Sequence, residues 1–365
     1  MLSDVAPGPA TNAADGYRLL PFRFERFNER EVLVVNEVGE YLFLDRESFD
    51  ALVAHRLPES APAYRDLEGL HFLAQGDASI AIDLLATKAR TRRSFLSGFT
   101  KLHLFVLTLR CDHSCRYCQV SRVQEGGERY DMSFETAERA IDLMFRSPAP
   151  DLKVEIQGGE PLLRFDLLRF IVERTLERNR DEGRRIEFVV ATNLAPLTDE
   201  MLDYIAERSI LVSTSLDGPA SLHDANRPRP GRDSHALTVR QIERARTALG
   251  HDRVSALMTT TERSLAHPHE VVDEYVRLGF NAIFLRAISP YGFATRTGEA
   301  ARYQAAEFVA FYQAALERIF EWNRRGIAIR EVYAQILLRK ILTPFPSGYV
   351  DLQSHGATSP VTAET

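Results

Sequence analysis

Three residues in this chain have the chemistry to hold a redox metal group, and they sit together. Cys111, Cys115 and Cys118 lie in the stretch LTLRCDHSCRYCQVSR and are the only cysteines among 365 residues. An odd count, with no distant partner, argues against a disulfide. A structural zinc ion takes four ligands. His113 lies between the cysteines, but a ligand two residues from both Cys111 and Cys115 would strain a tetrahedral site. Three thiolates suit a cubane of four irons and four sulfides. Clusters that only carry electrons usually have four cysteines. With three, one iron stays open for a small molecule, as a catalytic zinc site keeps one position free.

Further segments carry groups of interest. In QGGEP, Gln157 to Pro161, paired Gly158 and Gly159 let a ligand approach the backbone, and Glu160 can accept a bond from an ammonium. The plain alternative is a strand-to-helix turn. STSLDGP holds Ser215 and Asp217, and Asp217-Gly218-Pro219 also reads as a simple turn. His223, Asp224 and Arg227 follow in SLHDANRP, where a local Asp–Arg pair would serve to stabilise a loop. His267 and His269 begin a helix with Pro268 in its first turn, which argues against a metal site there.

These groups need elements to hold them. From residue 101 onward, strand-like runs alternate with helical ones: LHLFVLTLR, LKVEIQ, IEFVVATN, ILVSTSLDG, RVSALMTTT and NAIFLRAIS. SFETAERAIDLMF reads as a helix capped by Ser133, and DLLRFIVERTLER puts Leu167, Leu168, Ile171, Val172, Thr175 and Leu176 on one face. Six strands alternating with helices imply a parallel sheet, curled by right-handed crossovers into a partial barrel. Reactive groups then belong on the loops after the strands. The cysteines follow the first strand, QGGEP the second, Thr192 and Asn193 the third, and Ser215 and Asp217 the fourth. Arg286 lies on the sixth.

The fold class expected is therefore α/β: a partial (β/α)6 TIM-like barrel over residues 101–345, with a small N-terminal winged-helix-like domain at 18–75. In the latter, EVLVVN and YLFLD form a hairpin through EVGE, and Asp45 caps the helix that follows. Residues 76–100 read as a helical linker. Residues 1–17 and 346–365 read as disordered or, at the end, truncated.

Hydrophobic residues at 45% and charged residues at 26% mark a globular protein. The formal charge of −6 gives no general attraction to nucleic acid. There is no run of about 18 apolar residues, so no membrane span is expected. The N-terminus lacks a basic region followed by an apolar core, so a cytoplasmic location is expected.

CDHSCRYC, a C-x3-C-x2-C motif with an aromatic before the last cysteine, resembles the signature of the radical S-adenosylmethionine (SAM) superfamily. QGGEP resembles that family's Gly-Gly-Glu-Pro motif. The resemblance implies one [4Fe–4S] cluster on Cys111, Cys115 and Cys118, with SAM on its open iron. One electron from the reduced cluster then splits SAM, and a 5′-deoxyadenosyl radical takes a hydrogen atom from substrate. It implies that Gly158, Gly159 and Glu160 hold the SAM amino group, with Thr192, Asn193, Ser215, Tyr117 and Arg286 as further cofactor contacts. The family often has Thr-Asn-Gly after the third strand; here Leu194 replaces the glycine, which puts a backbone contact there in question. Asp217 and Asp224 are the candidate acids or bases.

SLDGPASLHDANRP resembles the peptide- and protein-modifying branch, which includes anaerobic sulfatase maturases and ribosomal-peptide maturases. Residues 19–354 are most similar to His-Xaa-Ser system radical SAM maturases. This implies a leader peptide held on the N-terminal domain as an added strand. It implies a reductant such as flavodoxin or ferredoxin. Related maturases often carry a cysteine-rich extension for auxiliary clusters, and no cysteine remains here for one. Either the chain works with one cluster, or it is truncated and serves as a peptide-binding partner of a second maturase. A plain iron–sulfur electron carrier is a third reading, which leaves the Gly-Gly-Glu-Pro loop unexplained.

Overall fold

The computed structural model describes residues 16–94, 98, 100–123 and 127–343, and divides into a unit up to residue 97 and a unit from 98 to 338. The N-terminal unit runs β1 (Tyr17–Leu19), β2 (Phe22–Arg26), β3 (Glu31–Asn36), β4 (Tyr41–Asp45), α1 (Arg46–Val53), α2 (Tyr64–Gly69), β5 (Leu73–Gln75) and α3 (Ser79–Arg92). The expected hairpin is β3–β4, and β2 adds a third antiparallel strand; β1 pairs with β5. Asp45 caps α1, its carboxylate accepting from Ser48 N at 2.8 Å. Val32, Val34, Leu44, Phe49, Leu52 and Phe72 form the unit's core. The segment read as a linker forms α3, whose Leu85 packs with Leu20, Val38 and Ala74 of this same unit. Of the N-terminal residues read as disordered, only Gly16 and Tyr17 are among the described ones. Tyr17 is buried, with its hydroxyl bonded to Leu52 O. The tail at 346–365 lies outside the described residues.

The second unit runs β6 (Leu102–Val106), α4 (Phe134–Met144), β7 (Asp151–Gln157), α5 (Phe165–Glu182), β8 (Arg185–Ala191), α6 (Asp199–Glu207), β9 (Leu211–Ser215), α7 (Ala220–Asn226), α8 (Ser234–Leu249), β10 (Val254–Thr259), α9 (Pro268–Arg277), β11 (Ala282–Ile283), β12 (Leu285–Arg286), α10 (Gly292–Arg296), α11 (Ala305–Arg324), β13 (Arg330–Glu331) and α12 (Val332–Leu342). Six strands pair in the order β12-β10-β9-β8-β7-β6, and every pairing among them is parallel. Leu152, Val154 and Ile156 of β7 are buried with Leu167, Leu168, Ile171 and Val172 of α5, the apolar stripe read from the sequence. Alternation sends Asp151, Lys153, Glu155 and Gln157 to the opposite, inner face.

The sixth strand differs from its expected continuous run. β11 pairs with β13, and only β12 joins the main sheet. At the switch the buried Glu331 carboxylate accepts from Leu285 N at 3.0 Å. No helix among the described residues is long and apolar enough to cross a membrane.

Helices α8 and α9 are tied by Glu274, which accepts from Arg277 at 2.7 Å and pairs with His235 at 2.7 Å. Burial alone would raise the Glu274 carboxyl, but its bonds from Arg277 and His235 prevail and bring it down from 4.5 to about 2. A depressed carboxyl stabilises the fold above its unfolded value and loses that contribution as pH falls toward its folded one. Urea unfolding should show stability falling between pH 4.5 and 2, and Glu274→Gln should flatten that limb. The difference at neutral pH is on the order of 3 kcal/mol.

Candidate functional site

The cysteines occupy the loop that leaves β6, and backbone contacts hold that loop from two sides. On one side Leu107 N donates to Gln157 O, Gly159 N to Thr108 O and Glu160 N to Arg110 O, at 2.8–2.9 Å. A Cβ on Gly159 would stand 2.2 Å from Arg110 O, and one on Gly158, at φ +154°, 2.3 Å from Thr108 O. The paired glycines therefore admit the chain's own backbone, a closer demand than a ligand's approach. Asp131 ties the same turn, accepting from Thr108 Oγ1 at 2.5 Å and from Arg110 at 2.7 and 2.9 Å. On the other side Ala294 N donates to Cys118 O at 2.9 Å, and Thr297 Oγ1 donates to Arg116 O at 2.7 Å.

Burial pushes all three thiols up, Cys115 to about 12 despite the nearby Arg227 and Arg122. Such a sulfur becomes a thiolate only when positive charge reaches it directly, as a metal does. The spacing argues further. Among the described residues, only Cys111, Asp112 and His113 form a trio of possible ligand atoms within 4.8 Å of one another. Three thiolates on one zinc ion would all lie about 3.8 Å apart. The three sulfurs do not all lie within 4.8 Å of one another, wider than a single zinc ion would hold them. The 4.8 Å trio is itself spoken for: His113 Nδ1 bonds Asp112 at 3.1 Å and its Nε2 bonds Ser234 Oγ at 2.9 Å. The three cysteines thus fit a cluster, and His113 does not fit as a fourth ligand.

Glu160 is fully buried beside this loop. Its carboxylate accepts from Leu162 N at 3.0 Å, Thr192 Oγ1 at 2.6 Å and Asn193 N at 2.7 Å. Burial raises it to about 7, with those bonds opposing. Asn193 Nδ2 bonds Asp112 Oδ1 at 2.7 Å and reaches Cys111 Sγ at 3.9 Å. The ends of β6, β7 and β8 thus meet at one point. Leu194 takes φ +66°, with its N–H bonded to Thr192 Oγ1 at 2.9 Å. Leu194 thus holds a left-handed conformation that a glycine would adopt at less cost.

Asp217, expected as an acid or base, is fully buried and engaged. It accepts from Tyr117 Oη at 2.5 Å, Arg227 Nε at 3.1 Å and Thr259 N at 3.4 Å. Arg227 also lies 5.3 Å over the Tyr117 ring. Asp224 accepts from His235 N at 2.7 Å, which holds the first turn of α8. Both carboxylates are thus occupied in building the loops. Ser215 ends β9 on the inner face, and Arg286 donates to Thr259 Oγ1 at 3.2 Å while its buried Nε has no partner among the described residues. The side chains of Glu155, Gln157 and Ser215 take no hydrogen bond from the described residues, so the inner wall keeps unspent polar groups.

Sequence reasoning missed Asp131, Arg110 and Ser234. Each acts through contacts made across 21 to 121 residues, and none belongs to a motif.

Residues 105–274 match the model of the Radical SAM superfamily. The chain is 26% identical over 170 residues to a radical SAM cyclopropyl synthase of Paramaledivibacter caminithermalis, covering 43% of this chain and 35% of that one. It is 32% identical over 137 residues to a serine-type anaerobic sulfatase-maturating enzyme of Bacteroides thetaiotaomicron, covering 36% and 33%. The chain therefore spans about a third of the length of these two relatives. The structure resembles native anSMEcpe with bound AdoMet at a TM-score of 0.56 and 18% identity, covering 66% of each chain. That likeness carries the fold, a parallel sheet curled into a partial barrel. The cysteine loop lies inside the segment that matches the Radical SAM superfamily model, and the fold is the one that likeness carries.

Proposed function

We propose that this protein cleaves SAM reductively at a [4Fe–4S] cluster and uses the product to modify a peptide or protein. The observation that carries this is the convergence of Cys111, Glu160 and Asn193 at the ends of three adjacent strands. When bound, the cluster and SAM supply an electron and a 5′-deoxyadenosyl radical that removes a hydrogen atom from substrate. The chain's own residues do the rest. Cys111, Cys115 and Cys118 hold the cluster. Glu160 receives the SAM ammonium: its Oε2 accepts one bond, from Asn193 N, and so has room for another. Ser215 and Arg286 meet SAM or substrate from the inner wall. Asp217 acts through Tyr117 and Arg227, keeping the ring against the loop.

A peptide or protein substrate is supported by the sulfatase-maturating relative and by anSMEcpe, also solved with a bound Kp18Cys peptide. In the N-terminal unit, β2 and β4 are the edge strands of their sheet, and such an edge can pair with an added leader strand. The reductant is a flavodoxin or ferredoxin in this reading.

The test is anaerobic reconstitution with iron and sulfide, then SAM and dithionite, with 5′-deoxyadenosine measured by chromatography. Its formation supports the reading, and a loaded cluster that never cleaves SAM, with or without peptide, defeats it. Glu160→Gln should keep the iron yet weaken SAM binding at least about tenfold, the effect of losing one charge-assisted bond. Titration of the reduced cluster's paramagnetic signal with SAM reads this directly.

A further inference from the structure

A chain of buried polar side chains runs from the loop after β9 to the cysteine loop. Asp217 N donates to His223 Nδ1 at 3.2 Å. A neutral ring that accepts there carries its proton on Nε2, which faces Ser234 Oγ at 3.1 Å. Ser234 Oγ accepts that bond and also meets His113 Nε2 at 2.9 Å. His113 Nδ1 in turn meets Asp112 Oδ1 at 3.1 Å. Asp112 Oδ1 also accepts from Asn193 Nδ2. Asn193 Nδ2 also lies 3.0 Å from His113 Nδ1, so the amide ties the ring and the Asp112 carboxylate together. His113, His223 and Ser234 are all buried, Ser234 at 1% exposure.

We propose that Ser234 is a positioning residue for the cysteine loop: it is the joint through which the loop after β9 orients His113 and Asp112 beside Cys111 before any metal arrives. Ser234 is suited to this because only a hydroxyl both accepts and donates through one atom in so small a space. The loop is also held nearby through its backbone, with Ser114 N donating to Pro228 O at 2.8 Å. His113 N approaches Cys111 Sγ at 3.4 Å. Removing the Ser234 hydroxyl leaves two buried imidazole nitrogens facing each other without a mediator.

The inference rests on the reading of Cys111 as a cluster ligand, and its test separates the two. Hydrogen exchange on the metal-free full chain should show the Ser114 amide of Ser234→Ala exchanging about tenfold faster than wild type, with the α5 core unchanged. After reconstitution, the variant should lose iron to a chelator about 10- to 100-fold faster. Ile171→Val, a core change in α5, serves as a control for general loosening and should move neither reading. His223→Asn cuts the chain one link further out, and should raise exchange at Ser114 as well. Exchange at Ser114 within twofold of wild type in both variants overturns the proposal. If wild type itself takes up no iron, the cluster reading fails, while the exchange result still decides what Ser234 does.

Discussion

Cys115→Ala is expected to abolish 5′-deoxyadenosine formation, with at least about a thousandfold loss, and to lower bound iron well below the roughly four atoms per chain of a complete cubane. Cys115 is 8% exposed and sits beside Arg227, so no water replaces its sulfur readily. No nearby side chain can take over. His113 has both ring nitrogens engaged, and Asp112 is already shared between His113 and Asn193. The loss should therefore be all or none, unlike the partial effect expected of Glu160→Gln. Iron, sulfide and 5′-deoxyadenosine are measured on one preparation. A variant that still cleaves SAM at a tenth of the wild-type rate would remove the cysteines from the centre of the mechanism.

Gly159→Ala should be strongly damaging to the cysteine loop. The added Cβ would meet Arg110 O at 2.2 Å, Arg110 C at 2.7 Å and Leu109 O at 2.7 Å. All three are backbone atoms, so no side chain can swing aside. The cysteine loop must shift, breaking the bonds to Thr108 O and Arg110 O that fix it. The expected cost is about 2–4 kcal/mol, at the upper end for overpacking. Gly183→Ala is the comparison. Gly183 caps α5 at φ +65° with nothing within 4 Å of the added carbon, so only the backbone penalty of about 1 kcal/mol applies. Urea melts of both variants check the ranking, and equal costs would mean that the loop adapts freely.

Much of this was legible in the sequence because the groups concerned are local. The period of α5 was visible in Leu167, Leu168, Ile171 and Val172, and the caps at Asp45 and Ser133 were visible in residue type. The cysteine triad and the Gly-Gly-Glu stretch follow strands whose apolar runs are plain. Other features depend on partners far away in the chain. At the break between β11 and β12, Leu285 N donates to Glu331, nearly fifty residues later. β2 is hard to read from the sequence because FRFER is short and almost wholly exposed, so no buried face marks it. Asp217 was readable as a reactive carboxylate; its engagement by Tyr117, a hundred residues earlier, was not. The glycines were read correctly as points of close approach, but what approaches them is the chain's own backbone.

The order β12-β10-β9-β8-β7-β6 leaves a sheet with two ends, neither joined to the other. A closed eight-strand barrel fills its middle with its own side chains and offers a ligand only its mouth. Here the end strand β6 turns Leu102, Leu104 and Val106 toward the interior, and they are 39–48% exposed. The sheet is therefore an open trough whose β6 edge is apolar, with the polar Glu155 and Gln157 on the strand beside it. A trough limits the thickness of what lies in it and sets no limit on its length. For the peptide substrate proposed above, such a shape would select a few consecutive residues and leave the rest of the strand free to trail outside.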